Sequence, residues 1–187
     1  RQPMTHRPRR CALVLFAAVL AWLPAAGAGA IDITEVTTPL GEVFVANGDP
    51  AYGGALHGAS VGNDGQTQLV WSRGLGGDLF AIRARGLGPE GSPSGPDLFV
   101  TDARETISWP VRADVAALPS GGAVFVWNGA GEDAEGHGIR LRTVLPDGTW
   151  AGPARRVNEH QSGDQITPAV SVGADGRIAV AWDSIGQ

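Results

Sequence analysis

The sequence predicts an all-β chain built of four-stranded units like the blades of a β-propeller, and three observations predict it. A Gly followed six positions later by a Trp recurs at Gly65/Trp71, Gly121/Trp127 and Gly176/Trp182. The chain holds 28 Gly and 13 Pro, which suits short strands joined by tight turns. No stretch carries a helical apolar period long enough to compete.

The anchor extends into a repeat. Backwards, Ala59-Ser-Val-Gly-Asn-Asp-Gly65, Val115-Ala-Ala-Leu-Pro-Ser-Gly121 and Val170-Ser-Val-Gly-Ala-Asp-Gly176 align without gaps. Forwards, Ile82-Arg-Ala-Arg-Gly-Leu-Gly-Pro-Glu-Gly91 meets Ile139-Arg-Leu-Arg-Thr-Val-Leu-Pro-Asp-Gly148 at a constant offset of 57, and Gly95-Pro96 and Val100 meet Gly152-Pro153 and Val157 at the same offset. A period of about 55 residues that recurs this often marks a repeat architecture.

Each unit reads as four strands. In the second copy, strand one runs from about Asp114 to Leu118 and turns at Pro119-Ser-Gly-Gly122. Strand two is Ala123-Val-Phe-Val-Trp127, apolar at every position, so it is expected to be buried on both faces. Strand three, Ile139-Arg-Leu-Arg142, alternates apolar with charged and is expected to be half-exposed and nearer the rim. A Pro146-Asp-Gly148 turn then leads to strand four around Ala154 to Val157, and a loop is expected to carry the chain to the next unit.

Four antiparallel strands per unit with an apolar inner strand describe propeller blades, which pack radially and leave only short edges. Tandem β-sandwich modules are the alternative, but the period is short for independent sandwiches of about 100 residues. The expected organisation is a signal peptide over 1–30, an N-terminal strand or partial blade over 31–56, repeat 1 over 57–112, repeat 2 over 113–167 and a partial repeat 3 over 168–187. Gly41-Glu-Val-Phe-Val-Ala-Asn47 resembles Asp97-Leu-Phe-Val-Thr-Asp102, the outer strand of a unit, so the propeller is expected to be incomplete in this chain.

Residues 1–30 hold no acid and four Arg, then an apolar run from Cys11 to Leu23, then Pro24-Ala-Ala-Gly-Ala-Gly-Ala30. A basic region, an apolar region and small residues in that order predict a cleaved secretory signal, with Ala28 and Ala30 at the small positions and a mature chain from Ile31. The apolar run is short of the roughly 20 residues a bilayer span needs, so no membrane span is expected after signal removal. The lone Cys11 leaves with the signal, and the exported core must be stable without disulfides. The protein is thus expected to be secreted, periplasmic or on the cell surface. Beyond residue 30 the chain carries nineteen acids and ten Arg, which disfavours nucleic acid as a partner because phosphate binding draws on clustered positive charge.

Leu145-Pro-Asp-Gly-Thr-Trp-Ala-Gly-Pro-Ala-Arg-Arg-Val-Asn158, followed by Thr167-Pro-Ala-Val-Ser-Val-Gly-Ala-Asp-Gly-Arg-Ile-Ala-Val-Ala-Trp182, resembles the bacterial sialidase-like Asp-box (BNR) propeller repeats. The resemblance covers roughly residues 57–187. It implies a propeller fold, and it implies turn-stabilising roles for Asp147 and Trp150. Leu145 stands where the family has a Ser, and the first copy has Pro89-Glu-Gly-Ser-Pro93 with no Trp, so one degenerate box is present.

A hydrolase of that family would need a Tyr nucleophile and an Arg cluster for the substrate carboxylate. The sole Tyr, Tyr52, sits in the turn-like Gly48-Asp-Pro-Ala-Tyr-Gly-Gly54. Arg83/Arg85 and Arg140/Arg142 alternate with apolar residues, as a solvent-facing strand surface does. His57 and His160 have no spaced partner and are expected to be solvated loop residues. The loop Gly131-Glu-Asp-Ala-Glu-Gly-His-Gly138 offers Glu132, Asp133 and Glu135 as oxygen ligands of the kind calcium takes, although the first copy has only Gly76-Gly-Asp78 there and a plain acidic loop is the simpler expectation. No catalytic motif and no other cofactor is indicated. Two functions of different class stay open: an exported, non-catalytic repeat protein that binds a glycan or surface protein or acts as a scaffold, and the N-terminal fragment of a sialidase-like glycoside hydrolase.

Overall fold

The computed structural model describes residues 54–76, 79–101, 107–108, 111–133 and 136–186. The expected signal peptide, the Gly41–Asn47 strand, Tyr52 and Glu135 lie outside them. The described residues are all-β, with eleven strands and no helix. Accordingly, no described helix is long and apolar enough to cross a membrane.

Three antiparallel sheets follow one another along the chain. The first takes β1 (Gly54–Val61), β2 (Thr67–Gly76), β3 (Leu79–Leu87) and β4 (Leu98–Phe99) in that order, with β5 (Ile107–Ser108) also on β3. The second takes β6 (Ala113–Ala117), β7 (Ala123–Asp133), β8 (Gly136–Val144) and β9 (Arg155–Arg156). The third pairs β10 (Asp164–Val172) with β11 (Ile178–Ile185). The described strands close neither a barrel nor a ring.

The repeat in sequence is repeated in bonding. The anchor glycines Gly65, Gly121 and Gly176 all turn with positive φ, at 76°, 85° and 80°, which a side chain would resist. Their amides close the same turn, donating to Gly62, Leu118 and Gly173 carbonyls at 2.9–3.0 Å. Past strand four, Val100 N donates to Ile82 O at 2.9 Å and Val157 N to Ile139 O at 2.8 Å. The Ile amides in turn donate to Thr101 Oγ1 and to Asn158 Oδ1, again 57 residues apart.

The main core lies between the first and second sheets. Val70, Ile82 and Ala84 from one meet Val115, Phe125 and Trp127 from the other. As the all-apolar pattern requires, β7 is buried on both faces, since every residue from Ala123 to Asn128 is buried. Trp127 is fully buried and Trp71 nearly so, whereas Trp182 in the two-stranded sheet is half-buried.

Four expectations are corrected. The segment after β4 is no simple loop, because β5 returns to pair with β3 through Phe80↔Ile107. The acidic stretch is not a free loop either: β7 runs on to Asp133, which pairs with Gly136 at the start of β8. His57 lies within β1 as the extra residue of a β-bulge between Leu56 and Gly58. Finally, the arginines of strand three do not simply face solvent. Strand four is only two residues long, so the approach to it lies across the charged face of strand three; Arg83 is buried, and Arg83 and Arg85 both hold Asp97, at 3.5 and 2.5 Å.

Candidate functional site

The first strands of the three units, β1, β6 and β10, stand beside one another, and side chains bind each to the next. Ser60 Oγ on β1 accepts the Ala117 amide of β6 at 2.9 Å. Asp114 on β6 accepts its neighbour Val115 N through Oδ1 at 2.9 Å and Val170 N of β10 through Oδ2 at 2.8 Å. A first strand is an edge of its own sheet, and an edge presents unpaired amides; here the preceding unit supplies acceptors for them. Gly58 is the counterpart of Asp114 in the first unit, and its missing Cβ makes room, since a Cβ there would lie 2.8 Å from Asp114 Oδ1.

Where these strands end, the three turns enclose a groove of about 410 Å³. Its walls are equivalent stretches of the three units: 60–63, 115–119 and 170–174. Ser60, Asn63 and Ser171 supply its polar side chains, and Val61, Pro119 and Val172 are among its apolar ones. No lining side chain is titratable. The nearby turn carboxylates are occupied within their own turns, Asp64 Oδ1 by Gln66 N at 3.0 Å and Asp175 Oδ1 by Arg177 N at 3.1 Å. The backbone amide and then the guanidinium of Arg177 hold the Asp175 carboxyl below the usual carboxylate range. The arrangement can bind through neutral hydrogen bonds and apolar contact, but its lining offers no proton to give or take.

The residues singled out from sequence are dispersed. Glu132 and Asp133 end β7 and Glu135 lies outside the described residues; among the described residues no three acidic, His or Cys side chains form a metal-sized cluster. Asp147 accepts both Thr149 N and Thr149 Oγ1, at 2.9 and 2.6 Å, which holds its carboxyl below the usual range. That turn sets half-buried Trp150 edge-on to Phe125, ring centres 6.0 Å apart, with the Arg142 guanidinium 4.3 Å from the Trp150 ring centre. Arg83 likewise lies over Phe99, at 3.7 Å. His160 is exposed.

Two polar pairs were not legible from motifs. His137 at the start of β8 reaches Asp164 at the start of β10, ring Nδ1 and backbone N each 3.0 Å from Oδ1, which holds the Asp164 carboxyl down. Asn158 and Gln165, both buried, share a bond of 3.1 Å. Their signal in sequence is only their place in the segment between units. The His57 imidazole is kept neutral by burial and then by Arg112, its pKa lowered to about 4.

The fold and site thus define an all-β chain of bonded, repeated sheets whose first strands share a neutral groove. No family model, no curated protein and no solved structure matches it.

Proposed function

We propose that this chain belongs to an exported β-propeller-like repeat protein that binds a partner of the cell surface or extracellular space and performs no catalysis. The observation that carries the reading is the groove, to which three units contribute equivalent stretches. A radial array of blades brings first strands together at its centre in this way. Bonds between units at Ser60 and Asp114 support the same arrangement. Export rests on the basic, apolar, small-residue order of residues 4–30.

Non-catalytic binding is supported by the neutral lining of the groove, since hydrolysis of a glycoside calls on a pair of carboxyl groups or an equivalent acid and nucleophile. The strand-three arginines of the first unit are turned to an internal carboxylate, Asp97. The test is to present the folded chain to glycan and surface-protein arrays and, separately, to chromogenic glycosides. Saturable binding without turnover is expected. Turnover of a sialoside would contradict the reading.

A further inference from the structure

The bonding between first strands differs from one junction to the next, and the difference leaves one amide facing the groove. Val170 N donates to Asp114, so the amide of Val170 points from β10 toward β6. Alternate residues of an antiparallel strand present their amides on the same edge, so Val172 N–H points that way too. Its counterpart in β6 is Ala117, whose amide is taken by Ser60. The residue equivalent to Ser60 in the second unit is Ala116, which carries no acceptor. Val172 is half-buried and lines the groove beside Ser171.

We propose that the groove between the turns of β1, β6 and β10 is a binding site for an uncharged, hydroxyl-bearing ligand, a neutral saccharide, with a ligand oxygen accepting the Val172 N–H that Ala116 leaves unclaimed. The inference rests on the reading of the chain as a binding module and gives that module a site and a ligand class. A charged ligand would leave water for a lining with no counter-charge, at a large cost. A sugar hydroxyl both donates and accepts, so one saccharide can meet the Val172 amide, the Ser171 and Ser60 hydroxyls and the Asn63 amide group. A volume of about 410 Å³ falls in the range of small-molecule sites, about 300–1,000 Å³.

The experiment is an amide-resolved NMR titration of the folded chain with neutral oligosaccharides and with uronate-containing ones, repeated on Ala116→Ser. Neutral oligosaccharides should shift the Val172, Ser171 and Asn63 amides. Ala116→Ser supplies an internal acceptor and should weaken binding about five- to tenfold, the loss of about one hydrogen bond. The wild-type shift map decides alone if Ala116→Ser fails to fold. Saccharide binding that leaves Val172 unmoved overturns the site while leaving the binding module standing. Shifts with the acidic set only, or with no saccharide while a protein array is positive, overturn the ligand class. Glycoside turnover instead sinks the reading on which the proposal rests.

Discussion

Asp114 on β6 accepts the amide of Val170 on β10 at 2.8 Å, so one carboxylate joins the second repeat unit to the third. Its other oxygen takes the Val115 amide, and both donors lie on the edge of their strand that faces away from its ladder partner, β7 for Val115 and β11 for Val170. Loss of the carboxylate therefore strands two edge amides. Asp114→Ala is expected to lower stability by about 1–3 kcal/mol, the cost of leaving such groups unsatisfied. Denaturant midpoints at unchanged m-value measure it.

Gly58 bears on the same carboxylate from β1. In Gly58→Ala the added Cβ would crowd Asp114 Oδ1, which the Val115 amide holds in place, so the carboxylate must move and weaken its bonds. A double-mutant cycle should show Gly58→Ala costing less in the Asp114→Ala background than in the wild type. Additive costs would mean that the two residues do not touch.

Trp127 and Trp150 test the core and the turn. Trp127 is fully buried, and Trp127→Ala is expected to cost about 3–5 kcal/mol. The Asp-box resemblance implies a turn-stabilising role for Trp150, and the residue is half-buried against Phe125 and under Arg142. Trp150→Ala should therefore cost more than a solvent-exposed turn residue and less than Trp127→Ala. Equal midpoints for the two variants would contradict this order.

Acid should loosen the first unit through His57. Its pKa is lowered from 6.5 to about 4 in the fold, chiefly by burial, so the unfolded chain binds the extra proton first. The contribution is complete above pH 6.5 and declines as pH falls toward about 4. Asp147, Asp164 and Asp175 are held below 3.8, so their share is lost only at lower pH. In His57→Gln the decline between pH 6.5 and 4 should flatten, as read from urea midpoints across that window. An unchanged slope would assign the acid sensitivity elsewhere.

Much of the fold could be read from residue order because the signals were local. The unbroken apolar run of Ala123 to Trp127 announces a strand buried on both faces, and Pro119-Ser-Gly-Gly122 announces the turn before it. Long-range geometry carried no such mark. The alternation of Arg83 and Arg85 with apolar residues is the same whether the arginines meet water or Asp97, and only the short β4 decides. His57 read as a loop residue because a bulge leaves little trace in one strand's sequence. The groove is assembled from three turns some 55 residues apart and contains no residue type that signals chemistry, so no motif search would find it.

Amide hydrogen exchange at Val170, in the wild type and in Asp114→Ala, reads out whether first strands of successive units stand side by side. The Val170 amide points away from β11 and donates to the Asp114 carboxylate of the neighbouring unit, which is expected to protect it. Slow exchange at Val170 is expected in the wild type, with Asp114→Ala speeding Val170 far more than Ala169 or Ser171, whose amides face β11. Fast exchange at Val170 in a wild type whose β10–β11 pairing is otherwise protected would contradict the account.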